Sequence, residues 1–190
     1  QYTMLIKDDY SGRVMRKITS KVERIDDQGL VYINNGTNIS LLTVSGGAIK
    51  FNAFDLVFEY DPPLQFLPGD ELAVGKKWKN ATKQTTKLGR VNRFDEARIV
   101  AYEEVLVPAG KFMAYKVENL GWAGPVRFEF TFWFLPDWAI PLKSIRRVYY
   151  PVGSPTKEST EIESFTRGPV PEIATIRQPT LLAKQDAHSR

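Results

Sequence analysis

The side chains that most often carry catalysis are scarce in this chain: 190 residues contain one histidine, His188, and no cysteine. Without a second histidine or any thiol, the usual nucleophile–base pairs and Cys/His zinc sites have no members to draw on. Carboxylates remain, as neighbours at Asp8-Asp9, Asp26-Asp27, Asp70-Glu71 and Glu103-Glu104. The first three sit among turn formers, where Asp bonds its own backbone. Glu103 and Glu104 fall in a β-type run, whose neighbours point to opposite faces, so they make no common site. Carboxylate-dependent hydrolysis would need acids assembled from distant segments. The chain therefore reads as non-enzymatic, with no cofactor and no metal centre.

Two other patterns have binding chemistry. Phe128, Phe130, Phe132 and Phe134 alternate along one run, with Arg127, Glu129, Thr131 and Trp133 between them. In a strand the four rings share one face. They form either a core stripe, each ring contributing about 1.5–3 kcal/mol by burial, or the wall of a cavity for a lipid or other apolar ligand, with Trp133 on the far face. The second pattern is basic. From Lys76 to Arg93 there are seven basic residues and no acid. If this run is extended, Lys77, Lys79, Lys83 and Lys87 share one face and Trp78 lies on the other. Such lysines either protect an edge strand or, with Arg90 and Trp78, bind an anionic envelope glycan, a lipid headgroup or a partner protein. Nucleic acid is disfavoured, because one basic strand with few interleaved aromatics makes no recognisable module.

The elements that position these residues all read as strands. Tyr2 to Lys7 and Arg13 to Arg24 are separated by Asp8-Asp9-Tyr10-Ser11-Gly12, and Asn35-Gly36 marks a hairpin between Val31-Tyr32-Ile33 and Ile39-Ser40-Leu41-Leu42. Ala48 to Tyr60 is expected to continue extended until Pro62-Pro63 ends the ladder. Gly89 breaks the basic run, Ala97 to Val107 resumes a strand, and Val107-Pro108-Ala109-Gly110 reverses it into Lys111 to Glu118. Lys143, Arg146 and Arg147 complement Glu158, Glu161 and Glu163, which places their two runs side by side as an antiparallel pair. Triplets for N-glycosylation begin at Asn35, Asn38 and Asn80, only mildly more than chance supplies.

No long helix, repeat or low-complexity tract is evident. The expected fold is all-β: one curved antiparallel sheet of roughly 10–12 strands closing into a barrel or half-barrel. Residues 1–167 form a single domain, and the proline-containing segment 168–190 is expected to be an extended tail packed on the domain or a neighbour. No apolar run reaches the roughly 20 residues of a membrane-spanning helix. The chain carries a net charge of +4 and opens on Gln1 without a signal segment, which reads as a trimmed exported protein, periplasmic or extracellular.

One stretch has a familiar look. Val105-Leu106-Val107-Pro108-Ala109-Gly110-Lys111-Phe112, Ala114-Tyr115-Lys116-Val117-Glu118, and Phe132-Trp133-Phe134 through Pro136, Pro141 and Lys143 resemble a family of exported bacterial β-rich domains of unknown function, of the TapB-like kind. More loosely, the pattern is similar to half-barrel carriers such as LolA and LppX. The family resemblance implies an exported curved sheet and brings no catalytic residues. The carrier resemblance implies a concave face able to hold an acyl chain.

Overall fold

The computed structural model describes residues 1–53, 56–69 and 71–168, and the expected tail lies almost entirely outside them. Twelve strands are present: β1 Tyr2–Asp8, β2 Val14–Ile25, β3 Leu30–Asn34, β4 Ile39–Thr43, β5 Gly47–Ala53, β6 Leu56–Gln65, β7 Lys77–Thr86, β8 Gly89–Val107, β9 Gly110–Ala123, β10 Val126–Phe134, β11 Lys143–Tyr149 and β12 Thr156–Phe165. Each pairs antiparallel with its sequence neighbours, and β1 joins β12 to close the barrel. This up-and-down order puts the turns after odd-numbered strands at one end and those after even-numbered strands at the other.

Turn chemistry sets the register. Asn35 accepts hydrogen bonds from the backbone N–H groups of Thr37 and Asn38, and Gly36 takes φ 87°, so β3 and β4 pair from Asn34 with Ile39. At the β8–β9 reversal Val107 pairs with Gly110. The expected continuous run from Ala48 to Tyr60 is instead a hairpin, with Phe51 opposite Phe58 and Ala53 opposite Leu56. Pro62 and Pro63 lack a donor N–H, and the β6–β7 ladder ends at Asp61 opposite Lys83, yet β6 runs on to Gln65 beside β5.

Eight strands make a barrel that side chains just fill, so twelve enclose space that rings and inserted chain must occupy. Phe66, beyond β6, meets Phe51 of β5 at 6.0 Å and Phe132 of β10 at 5.7 Å, bridging opposite walls. The 135–142 connection brings Trp138 to 6.0 Å from Tyr2 and 4.9 Å from Phe165. The long β8–β9 hairpin contributes differently. A register shift between Ile99 and Ala101 gives β8 one extra residue, Val100, opposite a regular β9. Up to the shift Ala97, Ile99, Val117 and Asn119 are buried on one face. Beyond it Val105, Val107 and Ala114 are buried on the opposite face, in a cluster with Trp133, Leu142 and Ile162. There the Ala109 N–H reaches the Ile162 carbonyl of β12 at 3.1 Å.

The charge complementarity expected between the last two strands holds for two of its three bases: Lys143 pairs with Glu161 at 2.9 Å and Arg146 with Glu158 at 2.9 Å, whereas Arg147 stands opposite Lys157 and pairs with Glu129 of β10, and Glu163 pairs with Lys17 of β2. Glu161 also holds Lys7 of β1 at 2.5 Å, tying the seam where the barrel closes. Burial works against the charge on Glu161, but the hydrogen bonds from Lys7 and Lys143 prevail and keep its carboxyl below the ordinary value of 4.5. A carboxyl held down in the folded state stabilises the fold above 4.5, and that contribution is lost as pH falls through the lowered value. Urea unfolding followed across acid pH is therefore expected to show stability declining below pH 4.5. Glu161→Gln should be less stable at neutral pH and show a shallower acid decline.

Gly121 on β9 is required by close approach. A Cβ there would overlap the Asp95 Cβ and the Phe94 carbonyl oxygen and stand 2.7 Å from Phe128 Cζ. Gly121→Ala is expected to destabilise the protein by about 1–3 kcal/mol, the usual cost of overpacking, measured by equilibrium denaturation.

Candidate functional site

The inner wall and the outer wall of the barrel offer different chemistry. On the inner wall the Phe row is continuous: successive ring centroids lie 4.9 Å (Phe128–Phe130), 5.7 Å (Phe130–Phe132) and 5.6 Å (Phe132–Phe134) apart. Phe128 and Phe134 are buried, whereas Phe130 and Phe132 are half-buried. Trp133, on the far face, is also buried. Its indole N–H donates to Glu103 at 2.9 Å and lies under Lys116 and Lys143. The hydrogen bond from Trp133 is the main influence holding the Glu103 carboxyl below its ordinary value, with Lys116 acting the same way against partial burial.

Beside the row stands a polar cluster that the residue pattern did not announce. Arg93 and Asp95, two apart on β8, both point inward, and the Asp95 side chain is fully shielded from solvent. The Arg93 Nε and Nη2 donate to one Asp95 oxygen at 3.0 and 2.8 Å, while the guanidinium carbon lies 4.2 Å from the Phe128 centroid and 5.7 Å from that of Tyr60. Burial raises the Tyr60 hydroxyl pKa, partly opposed by Arg93. The other Asp95 oxygen accepts from Asn80 Nδ2 at 2.6 Å. Asn80 also accepts from the Gln65 N–H at 3.1 Å and donates to the Gln65 carbonyl at 3.0 Å. Its carboxamide thus takes the place of a ladder peptide where β6 has left β7. Trp78 adds its indole N–H to the same carbonyl at 3.1 Å, and Thr82 Oγ1 donates to the Pro62 carbonyl at 2.6 Å. Asn80, counted from sequence as a glycosylation triplet, is buried here.

The charged alternation Arg93, Asp95 ahead of Ala97 and Ile99 is the one signal that could have revealed this cluster, because charges on a face that turns apolar need partners inside. Removing one partner of a buried pair leaves an uncompensated charge, typically costing about 3–5 kcal/mol. Asp95→Ala is expected to lose stability on that scale in chemical denaturation, and Arg93→Met combined with Asp95→Leu should recover much of the loss.

The outer wall of β7 and β8 carries the basic residues. Lys77, Lys79 and Lys83 project outward and are exposed, Arg90 follows on the same wall of β8, and Lys87 sits in the intervening turn. Trp78 points to the inner side, away from them. Three acids on or beside this wall are already engaged: Glu96 by Lys79 at 2.5 Å, Glu118 by Arg98 at 2.8 Å, and Asp61 by Arg90 at 3.9 Å. Among the described residues Lys77, Lys83 and Lys87 have no carboxylate within 4 Å. Two open depressions flank the column. One of about 390 Å³ is lined by Lys77, Arg98, Glu118 and Val100. The other, of about 440 Å³, is lined by Lys83, Arg90, Lys50 and Glu59. Among the described residues no three His, Cys, Asp or Glu side chains gather as a metal site, and no helix is long and apolar enough to cross a membrane.

No protein-family profile matches the chain, and no curated protein matches it in sequence. Solved structures do resemble it. One is a candidate lipoprotein of Parabacteroides distasonis, 12% identical, with a TM-score of 0.50 over 87% of this chain and 94% of that one. Another is the hypothetical lipoprotein YmcC of Escherichia coli, 11% identical, with a TM-score of 0.51 over 87% and 85%. A candidate exported protein of Bacteroides fragilis, described as having a YmcC-like fold, is 14% identical with a TM-score of 0.48 over 87% and 94%. At these identities the likeness is one of fold: the chain shares the β-barrel architecture of proteins described as lipoproteins.

Proposed function

We propose that this chain is a non-enzymatic, exported binding module of the cell envelope that docks an anionic partner on the outer wall of β7 and β8. The observation that carries this reading is the lysine column. Lys77, Lys79 and Lys83 leave one side of a strand that contains no acid; Glu96 of β8 is taken by Lys79 and Glu118 of β9 by Arg98, which leaves Lys77 and Lys83 without an ion pair among the described residues. The two ends of the column stand roughly 20 Å apart along the strand, and each lines one of the depressions. That geometry suits an elongated polyanion better than a single small ion. The fold's likeness to proteins described as lipoproteins supports the envelope address.

A second reading, an apolar ligand such as a lipid held on the inner Phe row, draws on the half-buried Phe130 and Phe132. Against it, the faces and edges of the row are used within the chain: Arg93 covers Phe128 and Phe66 packs on Phe132.

Exposed charge contacts are screened over about 8 Å at physiological ionic strength, so polyanion binding by the full chain should weaken steeply with added salt. Replacing Lys77, Lys79 and Lys83 by Ser is expected to abolish most of that binding and flatten its salt dependence, measured by isothermal titration against polygalacturonate and inorganic polyphosphate. Unchanged affinity for both polymers in the triple variant overturns the assignment.

A further inference from the structure

Beside the lysine column the outer wall presents rings where water-facing strands normally carry polar side chains. Phe94 on β8 is 56% exposed and Trp122 on β9 is 47% exposed. They are direct cross-strand partners within one transverse row: Ala81 of β7, Phe94, Trp122, Arg127 of β10 and Tyr149 of β11. Arg127 lies over the Tyr149 ring with its guanidinium carbon 4.8 Å from the centroid. Leu120, two residues from Trp122 on the same face, is exposed as well. The next row holds Lys79 and Glu96 on one side and Glu129 on the other, and Glu129 is bonded by Arg127, Arg147 and the Tyr149 hydroxyl.

Burial does not account for this row. Phe94 and Trp122 lie on the face opposite Arg93, Asp95 and Gly121, so they add nothing to the barrel interior. Both side chains are flat, Phe94 wholly apolar and Trp122 with an indole N–H, and the paired strands that carry them lie about 4.8 Å apart, comparable with the rise of one pyranose in an extended glycan. Aromatic faces carry negative charge density and attract the polarised C–H groups of a sugar face. The unpaired Lys77 and Lys83 stand on the adjoining strand, where carboxylates of the same polymer would fall.

We infer that the Phe94–Trp122 row is a sugar-stacking platform and that the polyanion taken by this wall is an acidic polysaccharide, with uronate-type carboxylates on the lysines and pyranose faces on the rings. The inference rests on the docking function proposed above and adds the identity of its occupant. Charge alone accepts any polyanion; the rings distinguish a polymer with apolar C–H faces from one without.

The test uses the full chain with polygalacturonate as the acidic glycan, inorganic polyphosphate as a polyanion without sugar faces, and dextran as a neutral glycan. Phe94→Thr and Trp122→Thr keep β-forming residues at exposed positions, and thermal unfolding checks that the fold is retained. Each is expected to weaken polygalacturonate binding about tenfold, the scale of losing one stacked ring, while leaving polyphosphate binding and its salt slope unchanged. Trp122 fluorescence should respond to polygalacturonate and not to polyphosphate, a response absent in Trp122→Thr. If both ring variants bind polygalacturonate like the parent protein, the platform is overturned while the lysine wall stands. If the parent binds neither polyanion, the docking function falls and the platform with it. Dextran binding as tight as polygalacturonate binding overturns the acidic-glycan assignment.

Discussion

One carboxamide carries the barrel wall across the gap between β6 and β7. Where Pro62 and Pro63 end the main-chain ladder between β6 and β7, Asn80 presents both an acceptor and a donor to Gln65 and so continues the ladder with a side chain. The same amide bonds Asp95, and Asp95 bonds Arg93. A seam in the wall and an ion pair inside it are therefore one network. Buried polar groups are costly unless all their bonds are made, so this network gives the two strands one productive arrangement. It also fixes the entry of the segment carrying Phe66, and hence the ring that spans the lumen.

The remaining stabilising features follow from the lumen's width. A twelve-strand circumference is too large for one layer of inward side chains. The chain inserts Phe66 from one connection and Trp138 from another, and folds the β8–β9 tip toward β12. The Phe row becomes a wall that other parts of the protein lean on. The outer wall of β7 and of the facing parts of β8 and β9 takes no part in this packing and carries a lysine column and a pair of exposed rings.

Much of the architecture was legible because local signals agreed with one another. Period-two alternation, turn residues at Asn35-Gly36 and Pro108-Ala109-Gly110, and opposite charges on the last two strands all pointed to antiparallel neighbours, and the barrel pairs them in sequence order. The hairpin between Ala53 and Leu56 escaped because an extended reading of Ala48 to Tyr60 met no strong breaker in that stretch. The outward lysines with Trp78 opposite could be read from parity alone. What Trp78 does could not, since its partner, the Gln65 carbonyl, arrives from another strand. Phe94 and Trp122 escaped for the same reason: they stand on different strands, and only the β8–β9 register makes them a pair.

The extra residue at Val100 makes one hairpin two-sided, burying one face near Ile99 and the other near Val105. In evolutionary terms this separates two jobs that a plain strand would have to share. The half below Val100 answers to the barrel lumen and the half above it to the contact with β12, so substitutions can accumulate in either half without compensation in the other. Length is the exception. Adding or losing a single residue between Ile99 and Val107 would exchange the apolar and polar faces of the tip, so change in this region should proceed by replacement or in steps of two.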